Sequence, residues 1–206
     1  MTRHAFDPST AALLLVDLQN DFLHPEGAYA RGGRTSPDIA ALPARLKPVA
    51  AAMRRAGGWI VSTHFTLVPG RSGEPLISPH LKTLRPFLAK GDFAPGTMGH
   101  DVVAELKPVD FAVEKVAYSA FYMSRLEFVL RKAGIATLVF SGIVTNGGVA
   151  STLRDAHVRD FATILLSDGC AAFRREVHEV TVASLAAITP VMTCAEFMAA
   201  LADRHR

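Results

Sequence analysis

The run Leu13-Leu14-Leu15-Val16, followed by Asp17-Leu18-Gln19-Asn20-Asp21-Phe22, most restricts what this chain can fold into. Four consecutive aliphatic residues show no in–out alternation, so both faces of the strand must be covered, as happens inside a parallel sheet. Asp17 closes the run. In open α/β sheets the carboxyl ends of the strands border the ligand crevice. A carboxylate delivered there by a rigid strand is a candidate acid, base or metal ligand. It could equally cap the following turn, and the run alone leaves both readings open.

Further segments repeat the pattern. Strands are expected at Trp59–His64, Phe111–Lys115, Ala136–Ser141, Ala162–Leu166 and Pro190–Thr193. Between them lie helical stretches. One opens at Ser36-Pro37, with Ser36 as N-cap, carries the stripe Leu42, Leu46, Val49 and Met53, and stops at Gly57-Gly58. Others are expected near Gly99–Leu106, over Ser119–Lys132, after Gly148 through His157, over Arg174–Ala187, and from the capping box Thr193-Cys194-Ala195-Glu196 onward. Residues 66–96 are rich in Pro and Gly, with a short helix possible over Pro79–Lys90, and a stretch of this kind usually serves a site. Six strands alternating with helices imply a three-layer α/β fold: a doubly wound parallel sheet in a single domain over residues 1–206.

Composition narrows the function classes. Half of the 206 residues are hydrophobic and 20% are charged, which suits a well-packed soluble core. The net charge of +3 comes from scattered residues, with no basic run interleaved with aromatics, so no nucleic-acid partner is expected. The N-terminal MTRHAFDPST lacks a leader-like apolar stretch and no segment is long and apolar enough to span a bilayer; a cytoplasmic protein with no membrane partner follows. Two cysteines, Cys170 and Cys194, are too few for a disulfide framework and read as reduced, buried thiols. No Gly-x-Gly-x-x-Gly follows the first strand, so no dinucleotide cofactor is expected.

Three features meet at the carboxyl edge: Asp17, Lys115 at the end of the third strand, and Gly147-Gly148 after the fourth. A lysine closing so apolar a strand favours pairing with a carboxylate, although it could also start an exposed loop. The glycine pair could serve a tight turn, or could let a ligand approach bare backbone whose N–H groups hold an anion.

Leu-Leu-Val-Asp-Leu-Gln-Asn-Asp-Phe, Val-Glu-Lys-Val-Ala-Tyr-Ser-Ala-Phe and Ser-Gly-Ile-Val-Thr-Asn-Gly-Gly-Val-Ala-Ser-Thr-Leu-Arg-Asp-Ala resemble, in order and spacing, the signature blocks of the isochorismatase-like hydrolase superfamily. Ser167-Asp168-Gly169 also fits. That superfamily includes isochorismatases, nicotinamidases and N-carbamoyl and ureido amidohydrolases. The resemblance implies a sheet of order 3-2-1-4-5-6, a small-molecule substrate, and a homodimer or homotetramer. It makes Asp17 the catalytic acid/base and Lys115 its charge partner. It also implies a cis Ile143–Val144 peptide that aims the Val144 and Gly148 N–H groups into the site.

The amidohydrolases carry a nucleophilic cysteine where this chain has Gly148, and true isochorismatases have glycine there. The reading that follows is vinyl-ether hydrolysis of isochorismate type, with Asp17 protonating the enol carbon. The alternatives are cysteine-free hydrolysis of a small amide, imine or ester with Asp17 activating water, or a silent small-molecule binder. His64 replaces a glutamine thought to orient substrate; it could bind substrate, relay a proton or simply be a wall residue. Phe22, Tyr118 and Phe121 are expected as apolar pocket wall. Asn146 could contact ligand or cap the next helix, and capping is favoured. Arg71 and Arg85 could bind a carboxylate, and solvation is favoured. Arg154-Asp155 reads as a structural pair. The nicotinamidase histidines are missing, so no metal is expected.

Overall fold

Ala11–Val16 form the strand β1, and all six residues are buried. The computed structural model describes residues 6–202. Half of the N-terminal segment read above for a leader thus lies outside the described residues. After β1 the chain runs through α1 (Asn20–Leu23), α2 (Ala28–Arg31), α3 (Pro37–Ala40), α4 (Leu42–Arg55), β2 (Trp59–Phe65), α5 (Pro79–Leu84) and β3 (Phe111–Lys115). It continues through α6 (Leu126–Lys132), β4 (Thr137–Ile143), a π-turn at Thr145–Val149, and α7 (Ala150–His157). β5 (Ala162–Ala171), α8 (Arg175–Leu185), β6 (Val191–Met192) and α9 (Cys194–Ala202) complete it. Among the described residues no helix is long and apolar enough to cross a membrane.

The strands form one parallel sheet of order β3-β2-β1-β4-β5-β6. The chain steps outward from β1 to β3, then returns to lay β4 against the other side of β1. Leu14 lies opposite Val61 on one side and Phe140 on the other. Strand order therefore reverses at β1/β4, and the crevice of a doubly wound sheet opens at their carboxyl ends.

Both faces of β1 are packed, as an unbroken apolar run requires. Leu13 and Leu15 join one cluster with Leu46, Val49, Met53 and Phe197. Leu14 and Val16 join another with Leu130, Phe140 and Leu153 on the opposite face. Full burial of each leucine stabilises by roughly 1.5–3 kcal/mol relative to exposure. A third cluster, with Ala28, Tyr29, Leu67, Leu88 and Phe93, packs between α2 and the stretch around residues 66–93. β1 and β4 approach so closely that a Cβ on Gly142, at φ +111°, would meet the Val16 carbonyl oxygen at 2.1 Å.

Several local expectations are corrected. The helix read from Ser36 is two helices joined at Ala41, because Pro43 has no N–H to continue the ladder, and Ser36 makes no side-chain cap bond. The helix expected from Ser119 begins at Leu126. Upstream, hydroxyl groups take the backbone donors: Ala120 N–H donates to Thr152 Oγ1 at 3.0 Å and Phe121 N–H to Ser119 Oγ at 3.2 Å. Near Gly99–Leu106 there is only one 3₁₀ turn, Ala104–Leu106. β5 runs past its apolar half to Ala171, absorbing Ser167-Asp168-Gly169 at a register shift against β4. Arg154 lies near Ser184, and Asp155 pairs instead with Arg159 at 3.4 Å. The capping box forms: Thr193 N–H donates to Glu196 Oε2 at 2.7 Å, and Glu196 N–H to Thr193 Oγ1 at 3.2 Å.

Candidate functional site

The block following β1 places one polar side chain after another. Asp17 leaves the strand with φ +56°, a left-handed conformation unusual for a residue with a side chain, and its N–H donates to the Thr63 carbonyl at 3.0 Å. Gln19 Nε2 donates to the carbonyls of Phe65 at 3.0 Å and His100 at 2.9 Å. Asn20 Nδ2 donates to the Met98 carbonyl at 2.8 Å. Asp21 accepts from Ala28 N–H at 3.0 Å and Phe93 N–H at 2.6 Å. These bonds pin the loops around the sheet edge, and Phe22 turns its ring into the space they enclose.

Asp17 Oδ2 lies 2.7 Å from Lys115 Nζ, with the two side chains 6% and 2% exposed. Oδ1 accepts from the Thr63 hydroxyl at 3.1 Å, while Nζ also donates to the Ala117 carbonyl at 3.0 Å. The Phe65 ring lies 5.5 Å from the ammonium. Burial pushes the Asp17 carboxyl above its ordinary value; the Lys115 charge and the hydrogen bonds from Lys115 and Thr63 oppose that rise. Beside this pair, a Cβ built on Gly148 would lie 3.1 Å from Asp17 Oδ2, 3.1 Å from the Ile143 carbonyl and 3.2 Å from Val16 Cγ1. The Ile143–Val144 peptide is cis.

Asp17, Lys115, Val144 and Gly148 line a cavity of about 220 Å³. That is about seven times the ~30 Å³ share of one liquid water, enough for a small molecule. Phe22, Tyr29, Phe65, Tyr118 and Phe173 supply aromatic wall, and Ser78, His80, Leu81, Leu84 and Arg85 close one side from α5 and its flanks. Arg85 Nε donates to the Tyr29 hydroxyl at 2.5 Å. Burial pushes the Tyr29 phenol up, with Arg85 opposing.

The structure thus brings together Asp17, Lys115, Gly148, Phe22, Tyr118 and Val144. Four other expected residues lie elsewhere. His64 is buried on the other side of β2, its Nε2 3.0 Å from Ser62 Oγ and its ring 5.2 Å from that of His100, and it borders a separate cleft with Glu114 and Arg125. The reason is strand alternation: Thr63 faces Asp17, so His64 must face away. Phe121 is packed in the core against Phe161 under the Arg159 guanidinium. Asn146 is exposed within the π-turn, and Val149 rather than Asn146 precedes α7. Gly147 is buried behind Val144 and Tyr118. Arg85, read as solvated, is a half-buried lining residue, and Tyr29 and Phe173 were not foreseen.

Neither cysteine borders the Asp17 cavity. Both are free and buried, and burial pushes the Cys170 thiol up and that of Cys194 up to about 12, so neither supplies a ready thiolate. Among the described residues no group of three or more His, Cys, Asp or Glu side chains is placed to hold a metal ion.

Comparison with known proteins adds the following. The family model for the Isochorismatase domain matches residues 11–196. Ureidoacrylate amidohydrolase of Pantoea ananatis is 35% identical over 176 residues, 79% of this chain and 70% of that protein. The enzyme of the same name from Methylobacterium radiotolerans is 36% identical over 178 residues, 80% of this chain and 68% of that protein. The crystal structure of N-carbamoylsarcosine amidase from Thermoplasma acidophilum superposes with a TM-score of 0.70 at 25% identity, covering 90% of this chain and 96% of that one. These findings overturn the vinyl-ether expectation: the relatives are named for hydrolysis of C–N bonds. Glycine at position 148 says that a thiol is missing, and does not say which bond is cut.

Proposed function

Because the chain belongs to the isochorismatase family, we propose that it hydrolyses a C–N bond of a small amide or ureide, with Asp17 as the base that activates water. The observation that carries this reading is the juxtaposition of the buried Asp17–Lys115 pair with Gly148 at the floor of one cavity. A water held where a side chain on residue 148 would begin is within hydrogen-bond reach of Asp17 Oδ2.

Asp17 takes a proton from this water as its oxygen bonds to the substrate carbonyl carbon. The carbonyl electron pair moves onto oxygen, and the backbone N–H groups of Val144 and Gly148 receive that developing anion. The proton on Asp17 then passes to the leaving nitrogen as the C–N bond breaks. Lys115, 2.7 Å from Asp17, opposes the pull of burial on its carboxyl and so favours the ionised form that the reaction uses. No bond to the protein forms. A homodimer or homotetramer and a cytoplasmic location belong to the same proposal, resting on the family resemblance and composition; light scattering on the purified protein tests the assembly.

The experiment is ammonia release from a panel of small ureides and amides, with the native chain compared with Asp17→Asn. Turnover by the native chain that falls by about 10²- to 10⁴-fold in the variant is expected for loss of a general base. Turnover that survives the substitution would sink the proposal.

A further inference from the structure

We propose that His178 is a positioning residue for this reaction: from α8 it holds Thr145, and with it the π-turn whose backbone presents N–H groups to the developing anion. This inference rests on the hydrolase reading above and names a group outside the cavity on which that chemistry depends.

Single π-turns are rare and occur mostly at functional sites. Here the turn spans Thr145–Val149, with Val149 N–H donating to the Val144 carbonyl at 3.3 Å, and Val144 makes no side-chain cap bond at its start. Two threonine hydroxyls hold the turn instead. Thr152 Oγ1 donates to the Gly148 carbonyl at 2.7 Å and accepts from Ala120 N–H at 3.0 Å, which fixes the later half. Thr145 fixes the earlier half: it is fully buried, and its Oγ1 lies 2.8 Å from His178 Nδ1. Thr152 belongs to the helix that continues the turn, whereas His178 reaches in from a different helix.

His178 does not border the Asp17 cavity. It lines a separate cleft with Asp38, Arg175 and Glu179, and its ring rests against the Ser167 backbone in β5. It therefore acts on the reaction only through Thr145, the residue directly after Val144 and three before Gly148. Small displacements matter there. Donors to an oxyanion work at about 2.7–3.1 Å, and a misplacement of about 1 Å in a reacting geometry can cost about 10²-fold. Removal of His178 would also leave the Thr145 hydroxyl unpaired inside the protein, a costly state that the turn can relieve only by moving.

The test breaks the contact from both sides, with His178→Leu and the near-isosteric Thr145→Val. Hydrogen–deuterium exchange, read by mass spectrometry on the peptide covering residues 143–149, should quicken by about 10-fold in either variant. On the substrate of the ammonia-release panel that the native chain turns over fastest, kcat should fall by about 10- to 100-fold while KM stays within about twofold. The double variant should lose no more than either single change, since one contact is broken once. His178→Asn places an amide atom near the Nδ1 position, able to donate or accept, and should return both exchange and kcat toward native values. Unchanged exchange in His178→Leu and Thr145→Val would overturn the proposal. So would additive losses, a raised KM with kcat kept, or failure of His178→Asn to restore kcat. Absence of turnover by the native chain would remove the hydrolase reading alone: exchange that quickens in His178→Leu and recovers in His178→Asn would still sustain the tether.

Discussion

His64 offers a quantitative test of where the structure has put it. Its imidazole is 5% exposed, bonds to Ser62 Oγ at 3.0 Å and faces the His100 ring at 5.2 Å. Burial first, and the neighbouring His100 charge second, lower its pKa from 6.5 to about 4. In the unfolded chain the same group protonates near 6.5. Between those values the unfolded state binds a proton that the folded state refuses, so stability falls as the medium is acidified. Its contribution is fully present above about pH 7 and fades as pH drops through 6.5 toward 4. Linkage gives a loss of about 2 kcal/mol by pH 5 and about 3 kcal/mol by pH 4. Urea unfolding of the native chain and His64→Gln, at intervals from pH 8 to 4, reads this directly. The difference between the two curves should shrink or reverse by that amount on acidification, whatever packing the substitution removes at pH 8. His100, also lowered by burial, and Asp17 titrate in both proteins and largely cancel from the difference. Parallel curves, offset by a constant, would refute the assignment of His64 to a dry structural position.

Further outcomes follow from the floor of the cavity. Since Asp17 acts ionised and burial raises its pKa, kcat/KM should decline on the acid side at a pH above the ordinary value of 3.8; a profile flat down to pH 4 would contradict this. Lys115→Met leaves a buried carboxylate unpaired and should cost about 3–5 kcal/mol at pH 8 by urea unfolding. The double variant Asp17→Asn/Lys115→Met should lose less than the two single changes added together. In Gly148→Cys the new Cβ meets Asp17 Oδ2 and the Ile143 carbonyl at 3.1 Å, a fit needing shifts of a few tenths of an ångström. Mass spectrometry during turnover of a ureide should then show an acyl adduct on the introduced thiol, as expected if the surrounding groups are arranged for C–N hydrolysis.

The parts of this molecule that were legible in its sequence are those encoded within a few consecutive residues. The unalternating Leu13–Val16 run specified a doubly covered strand, and strand-end position singled out Asp17 and Lys115, which then meet at 2.7 Å. The Thr193–Glu196 box was readable for the same reason. Alternation along β2 would also have excluded His64, had Thr63 been recognised as the residue facing Asp17. Tyr29 and Phe173 could not be seen this way. They come from two distant segments with no shared period, and only tertiary packing brings them to one wall with Arg85, which the sequence offered as a carboxylate ligand but favoured as solvated. Phe121 was misplaced because the serine hydroxyls of Ser119 and Ser124 divert the backbone before the helix starts. The bond to be cleaved was misread because a single glycine is compatible with more than one reaction.

The buried members of the aromatic cluster around Tyr29 and Phe93 belong to neither of the clusters that clamp the sheet. Leu81, on α5, packs at the margin of that cluster and Leu84 of the same helix lines the cavity, whereas Asp17 hangs from the driest strand of the fold. Exchanges on α5 therefore reshape what fits while leaving the proton-handling groups unmoved, and their energetic effects should add to, rather than multiply, changes at the floor. Reactivity and ligand choice are moored in separate parts of the protein, so one can drift over generations while the other stays put.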